Sequence, residues 1–438
     1  MTATREGLRP AVRWGLGHAL PQGAIRSAGR KGDLHGRLFI ASSGDDHAAL
    51  VAAIDELRAA GPLHRSKYAF ATVSQPVVKE VLTSGDFRSG FEVSGEGRLA
   101  RLSRWSDETA PLGPLRPPSL LVTEPPDHTR YRKLVNRVFT VRAVQELRGR
   151  TEEIADELLT RMAGEDPVDL VERYCSLLPV TVIAEILGVP QSERAAVLEY
   201  GGAAAPSLDL GLSWRQFRTV EKALHAFDAW LDRHLERVRR EPGDDLLSRL
   251  VTARGEDGRG LSDAELKSTA GLVLAAGFET TVNLLGNGIA LLDRHRDQLA
   301  VLRDQPSLWV NAVDEVLRVD PPVLLTGRSC IRDTTVAGVP VPAGAVVTTI
   351  LAGANVDPDI FDDPYRFDVT RPNASEHVAF SAGRHYCLGA ALARMEGEVG
   401  LRRLFERFPD LALVPGARRR PTRILRGFER LPASLKGL

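Results

Sequence analysis

Phe380-Ser381-Ala382-Gly383-Arg384-His385-Tyr386-Cys387-Leu388-Gly389 runs straight into Ala390-Ala391-Leu392-Ala393-Arg394-Met395-Glu396, and the reading of this stretch decides the rest of the chain. Two glycines bracket a single cysteine, which opens an alanine- and leucine-rich helix. Backbone N–H groups at a helix N-terminus stabilise a thiolate. Gly383 and Gly389 remove side-chain bulk where backbone passes close to something flat and large. Arg384 and His385 add hydrogen-bond donors and positive charge. Such a site suits a thiolate that ligates haem iron from one face. Taken alone, Cys387 would read as a packed small hydrophobe, as most lone cysteines do.

The ten-residue frame outweighs that plainer reading. It resembles the haem-binding signature of the cytochrome P450 family, the haem-thiolate monooxygenases. The pattern is Phe-x-x-Gly-x-(His/Arg)-x-Cys-x-Gly, and Phe380, Gly383, His385, Cys387 and Gly389 fill every fixed position. Ser381 stands where bacterial members usually carry Gly. Upstream, Thr123-Glu124-Pro125-Pro126-Asp127-His128-Thr129-Arg130-Tyr131-Arg132 starts a helix with Pro126 and Asp127 in its first turn. His128 and Arg132 share one helix face and suit a carboxylate partner, although a solvated basic face is the commoner case. The stretch is similar to the family's Asp-Pro-Pro-(Glu/Asp)-His-Thr-x-x-Arg, with Glu124 in place of Asp. That resemblance implies that His128 and Arg132 hold a haem propionate.

Ser262-Asp263-Ala264-Glu265 is a capping box. The helix it opens is expected to run to about Leu292 and to cross the core, because Leu272 to Leu285 is apolar nearly all round. Inside that section sit Gly277, Glu279, Thr280, Thr281 and Asn283, and buried polar residues need partners. Gly277 weakens the helix and opens space. Thr280 can return its hydroxyl to the Ala276 carbonyl and loosen one backbone bond. A widened turn beside a carboxylate suits a small polar molecule such as water or dioxygen. The run Ala276-Gly277-Phe278-Glu279-Thr280-Thr281 resembles the family's (Ala/Gly)-Gly-x-(Asp/Glu)-Thr-Thr. It implies proton delivery by Glu279 and Thr280, with Ala276 and Gly277 against the haem. Glu315-Val316-Leu317-Arg318 resembles a structural Glu-x-x-Arg ion pair, for which Arg366 is the expected third partner. Arg328 matches a second propionate-binding arginine, and His385 is expected beside it. Ala354-Asn355-Val356-Asp357-Pro358 resembles Ala-Asn-Arg-Asp-Pro, with Val356 in place of arginine. The resemblance spans nearly everything from Ala48 to Pro432.

The implied fold is mainly α with a smaller β region, a single P450-type domain with a long central helix over haem and a cysteine-ligand loop beneath it. We expect an N-terminal basic arm over 1–46 and the catalytic domain over 47–438. The arm is net basic (Arg5, Arg9, Arg13, Arg26, Arg30, Lys31 and Arg37 against Glu6, Asp33, Asp45 and Asp46). It is read as lying on the body, with a membrane-surface contact through Trp14 as the weaker alternative. Between motifs, Leu63 to Val73 reads as an edge hairpin and Phe87 to Leu120 as a long loop roofing the substrate pocket. Gly201 to Leu212 reads as a flexible break between helices, in the family a lid, and Trp214 to Arg240 as a helix. Phe428 is expected to drop into the pocket beside Phe278, Val323, Leu324 and Leu325.

Across 438 residues, 57 Lys+Arg balance 57 Asp+Glu, which gives no global pull toward nucleic acid. Three scattered cysteines make no disulfide framework. No apolar run is long enough for a membrane anchor. The expectation is a cytoplasmic, monomeric bacterial-type enzyme with haem b as cofactor, acting on dioxygen and a hydrophobic small molecule. No dinucleotide-binding Gly-rich unit occurs, so electrons are expected from a ferredoxin with an NAD(P)H-dependent reductase. A peroxide-driven peroxygenase or a non-catalytic haem-binding sensor is the alternative.

Overall fold

The computed structural model describes residues 2–90, 97–137, 140–255 and 258–437. Helices dominate and the strands are few and short, as expected. The central helix, Asp263–Arg294, starts where its sequence says. Ser262 accepts from the Glu265 N–H while the Glu265 side chain accepts from Ser262. At 1.5 Å per residue it is about 48 Å long. It packs on Leu177–Ile186, Trp309–Val319 and the cysteine helix Ala390–Arg407. The last approach is close because two glycines permit it: a Cβ at Gly397 would fall 2.9 Å from Leu284, and one at Gly400 2.6 Å from Leu285. The largest hydrophobic core lies around this crossing.

A five-stranded sheet flanks the helical body, in the order His64–Arg65, Phe70–Thr72, Val346–Thr349, Thr326–Cys330, Phe87–Ser89. Phe70–Thr72 runs parallel to Val346–Thr349 and the other pairs are antiparallel. Phe70–Thr72 is therefore interior, and only His64–Arg65 forms the expected edge.

Four expectations are corrected. Phe87 to Leu120 is not one loop: Phe87–Ser89 pairs with Arg328–Cys330, and Arg98–Asp107 is a helix without a side-chain cap. That helix carries no strong local signal. It is held by tertiary contacts, the largest with the N-terminal arm. Residues 91–96 of the expected loop lie outside the described residues. The break at Gly201 to Leu212 is shorter than expected, because Arg194–Ala204 stays helical through both glycines and a single 3-10 turn, Ala205–Leu208, follows. Phe428 packs over Gly286 and under the Arg419 guanidinium, in the core and away from the pocket.

The fourth concerns the Glu315–Arg318 pair. Arg318 donates to both Glu315 oxygens at 2.7 and 2.8 Å and to the carbonyls of Asn355, Pro364 and Arg366. The third side chain is Arg371, with Nε 3.2 Å from Glu315 Oε1. Arg366 offers only its carbonyl, and its side chain is 61% exposed. A buried carboxylate stripped of its partner is expensive. Arg318→Met is expected to lower unfolding free energy by about 3–5 kcal/mol in urea titration. Arg366→Ala is expected to stay within about 0.5 kcal/mol, and a larger loss there would restore Arg366 as the third partner.

Candidate functional site

The cysteine loop is shaped before it reaches the cysteine. Ser381 and Gly383 both take left-handed backbone, with φ of 65° and 67°. A left-handed non-glycine residue costs roughly 1–2 kcal/mol, which accounts for the usual glycine at position 381. At Gly383 space also decides: a Cβ there would lie 2.7 Å from the Leu82 carbonyl oxygen. Its smallness answers to a neighbouring helix end, not to a flat group. Gly389 is different, since a Cβ there would meet nothing within 4 Å. The Cys387 N–H closes the loop onto the Phe380 carbonyl at 2.9 Å.

The Cys387 side chain is accessible at its surface, although the protein around it is dense enough to push its thiol up. Cys175 and Cys330 are packed away. The surrounding protein pushes the Cys387 thiol up, while the Gly389 N–H, Arg132 and Arg394 pull it down. Gly389 is the N-cap of the cysteine helix, so the positive end of that helix faces the sulfur.

In the middle of the central helix Gly271, Leu272, Val273, Ala276, Gly277 and Thr280 are only partly buried, and of these Leu272, Ala276 and Thr280 recur every fourth residue and form one partly accessible strip. Thr280 Oγ1 donates to the Ala276 carbonyl at 2.6 Å, and Thr281 Oγ1 to that of Gly277 at 2.9 Å. Gly277 admits Ile183, whose Cδ1 would lie 3.0 Å from a Cβ there. Its role is packing, where opened space was expected. Glu279 is 3% exposed and pairs with Arg420 at 3.0 Å, and its Oε2 has no partner among the described residues. Burial pushes its carboxyl up and Arg420 opposes this. Sequence reading missed Arg420, which lies far along the chain inside an Arg418-Arg419-Arg420 run with nothing to single it out.

Beside the cysteine loop several of the predicted donors meet. The rings of His128 and His385 are 4.6 Å apart. Glu124 accepts from His385 Nε2 at 3.1 Å and the Ser89 N–H at 2.6 Å, and it is ion-paired with Arg384, whose Nε lies 2.9 Å from Oε2. Burial alone would raise Glu124, but these partners bring it down to about 2. His128 is lowered to about 4 by burial and by the positive charges of His385 and Arg132, so it is neutral, and its Nε2 is unpartnered. Arg328 is buried, donates only to Thr326 Oγ1 and the Gly327 carbonyl, and forms no ion pair with any described residue. Arg132 donates to the carbonyls of Tyr386 and Arg384 and so ties this helix to the cysteine loop. A buried guanidinium lacking a carboxylate, an orphaned imidazole nitrogen, an accessible sulfur and an unfilled approach at Gly389 together fit a flat group with carboxylate arms, as haem has.

Other placements differ from expectation. Of the expected pocket liners, Phe278, Leu324 and Leu325 are buried in cores and Val323 keeps partial access. Several arginines around the cysteine loop are already ion-paired, Arg130 with Glu265, Arg384 with Glu124 and Arg394 with Asp314. Behind the distal strip, Glu396 of the cysteine helix is fully buried, hydrogen-bonds Thr281, and is raised by burial to about 8. Its folded state therefore holds a proton that the unfolded chain releases near pH 4.5, so stability falls as pH rises from there to about 8. Glu396→Gln is expected to remove this slope. The variant-minus-wild-type difference in urea midpoint should grow toward the variant between pH 5 and pH 8, and parallel pH curves would show that Glu396 is not proton-linked.

A family model described as Cytochrome P450 matches residues 307–432. The chain is 49% identical over 437 residues to a cytochrome P450 140 of Mycobacterium tuberculosis, covering 98% of each. It is 40% identical to the vitamin D(3) 25-hydroxylase of Pseudonocardia autotrophica, over 84% of this chain and 93% of that protein. Among solved structures, it resembles the P450 PksS of Bacillus subtilis with a TM-score of 0.80 and 32% identity, over 90% of this chain and 99% of that one. A Bacillus megaterium P450 crystallised with testosterone gives a TM-score of 0.76 at 29% identity, over 88% and 99%.

Proposed function

The chain belongs to the cytochrome P450 family, and from that premise we propose that Cys387 is the thiolate ligand of its haem and that it places one oxygen atom in a hydrophobic small molecule, by hydroxylation or epoxidation. Family membership itself makes the chain a haem-thiolate monooxygenase. The observation that supports the residue assignments is the meeting of His128, His385 and Glu124 with Arg132, which ties its helix to the loop that leaves the Cys387 sulfur accessible.

Haem, when bound, supplies the iron at which dioxygen is reduced. The Gly389 N–H and the helix end hold negative charge on the Cys387 sulfur. His128, Arg132, Arg328 and His385 would hold the carboxylate arms, and Phe380 and Ala276 would bound the faces, with Gly277 letting Ile183 pack against that turn. Glu279 carries a proton more readily than an exposed carboxyl, because burial raises it, and Arg420 fixes where it points. In this proposal Glu279 gives up its carboxyl proton, Thr280 Oγ1 accepts a proton on that side and releases its own hydroxyl proton toward the distal face, and the Glu279 carboxylate is reprotonated from solvent. The accessible strip is apolar apart from Thr280, which supports a hydrophobic substrate. Relatives named for hydroxylating vitamin D(3) and 6-deoxyerythronolide B support the same class.

The proposed electron source is a ferredoxin with its NAD(P)H-dependent reductase, and the proposed setting is a cytoplasmic monomer. Among the described residues no helix is long and apolar enough to cross a membrane. An intact Glu279–Thr280 pair argues against a peroxide-driven peroxygenase, which has no use for proton delivery.

Dithionite-reduced protein with carbon monoxide is expected to show the strongly red-shifted Soret band of a thiolate ligand. Cys387→Ala should lose that band, whereas Cys175→Ala and Cys330→Ala should keep it. An unchanged spectrum in Cys387→Ala would end the assignment. Thr280→Ala is expected to bind haem and substrate normally but to divert most electrons to hydrogen peroxide, by about 10-fold over wild type or more. Full coupling in that variant would remove Thr280 from proton delivery.

A further inference from the structure

The N-terminal arm does more than rest on the body. Its first helix, Thr2–Trp14, lies between two separate parts of the roof over the central helix. One part is the helix Arg98–Asp107 with the loop after it. The other is the turn after Ala205–Leu208 and the start of the helix Trp214–Arg240. These segments close over part of the central helix. Leu112, Gly113 and Pro114 from the first part and Leu224 and Phe227 from the second close on Gly271, Leu274 and Ala275 of the central helix. The space between them is about 20 Å³, room for roughly one water. Gly202, just before the turn, stands 3.9 Å from Phe278. Gly271, Leu274 and Ala275 lie on a different face of the central helix from Leu272, Ala276 and Thr280, so a hydrophobic molecule that approaches that strip from this side must part these walls.

Arg13 joins them. It is 6% exposed. Its Nε donates to Glu221 Oε1 at 3.0 Å, on the Trp214–Arg240 helix. Its Nη1 donates to the Ser106 carbonyl and, at 3.3 Å, to Thr109 Oγ1, on the other wall. Glu221 is itself 8% exposed, so this is a buried ion pair that spans three elements. Neighbouring contacts repeat the bridge. Arg9 pairs with Glu108 at 2.7 Å and lies over the Trp105 ring, on the first wall. Trp14 Nε1 donates to the Leu212 carbonyl at 2.8 Å and its ring meets that of Trp214 edge-on, on the second. His18 lies against Phe217 with the two rings tilted by 59°, and Gln22 closes over Gly211, where a Cβ would fall 2.7 Å from its amide carbon.

We propose that the N-terminal arm is a strap across the substrate mouth and that Arg13 is its positioning residue, so that substrate enters only when the Arg13 bridge lets the two walls separate. The proposal rests on the function given above, because it needs a substrate pocket beneath the walls. Arg13 touches neither cofactor nor reacting atoms. It acts through the walls, and the property it sets is the rate and size limit of entry. A strap that only stabilised the fold would raise the melting temperature and leave entry alone.

The test compares wild type, Arg13→Gln, Arg13→Lys and Glu221→Gln, each checked for folding by its thermal transition. Stopped-flow absorbance follows binding of imidazole, a small probe, and clotrimazole, a bulky one. Hydrogen exchange reports on residues 98–109 and 211–221 independently of haem. Arg13→Gln and Glu221→Gln are expected to bind clotrimazole about fivefold faster or more, because the open fraction rises, while imidazole changes less than about twofold. Exchange in both walls should quicken together, and Arg13→Lys, which keeps the charge on Glu221 but cannot reach both walls at once, should fall between Arg13→Gln and wild type. Unchanged clotrimazole rates and unchanged exchange in folded variants would overturn the strap, even if melting temperatures fell. Should neither azole perturb the wild-type spectrum, the haem reading would fail, and exchange alone would decide the strap. If Arg13→Gln does not fold, Glu221→Gln and Arg13→Lys carry the same comparison.

Discussion

A charged sulfur inside a protein is the constraint on which the proposed site depends. Burial favours the neutral thiol, so the fold must supply opposing terms at the sulfur itself. Here they come from one N–H at Gly389, from the end of a long helix and from two guanidinium groups. Each requires something further away. The loop must double back with left-handed turns at Ser381 and Gly383. The cysteine helix must lie tightly on the central helix, which needs Gly397 and Gly400. Arg132 must reach the Tyr386 carbonyl from another helix. The sulfur's position is thus fixed by packing remote from it.

Buried charge elsewhere follows one pattern: a carboxylate from one element held by an arginine distant in sequence. Glu315 with Arg318 and Arg371, Asp320 with Arg419 and Arg426, and Glu279 with Arg420 are examples. The fifty arginines against seven lysines make this workable, since a guanidinium keeps its charge when buried and can donate to a carboxylate and to carbonyls at once. Arg318 does so with one carboxylate and three carbonyls. The Glu279 pair differs from the scaffold pairs in leaving one carboxylate oxygen unpartnered beside the accessible strip. An incompletely satisfied acid is costly as scaffold and useful for moving protons.

What was legible in the sequence was local or carried by a spaced motif. Ser262 and Glu265 announced the central helix because a capping box is complete within four residues. Thr280 announced its bond to Ala276 because both partners sit on one helical turn. His128 and His385 were named from motifs, and their rings meet. Partners set by tertiary packing were not legible. Arg366 and Arg371 both follow the same turn, and nothing local says which side chain turns inward. Leu324, Leu325 and Phe428 are apolar in a likely-looking place for a pocket, but apolarity is equally the mark of a core, and the core holds them. The Arg98–Asp107 helix is polar and uncapped, so it exists by virtue of what lies against it.

The arm shows why a buried ion pair suits a contact that must both hold and release. Removing one partner of such a pair leaves a stranded charge, so the closed arrangement is sharply defined. The net stabilisation over an open, hydrated arrangement is small, because water takes back both charges when the walls part. An apolar contact of equal area would lack that recovery, since opening it exposes surface that water does not reward. Trp14 and Phe217 supply that second kind of contact around the pair and set how firmly the closed state is held. Arg13 sets its register, with donors that fit the Ser106 carbonyl and Glu221 together and fit neither wall completely alone. A pair built in this way selects one geometry without locking it, and under the proposed function that is the property a substrate mouth requires.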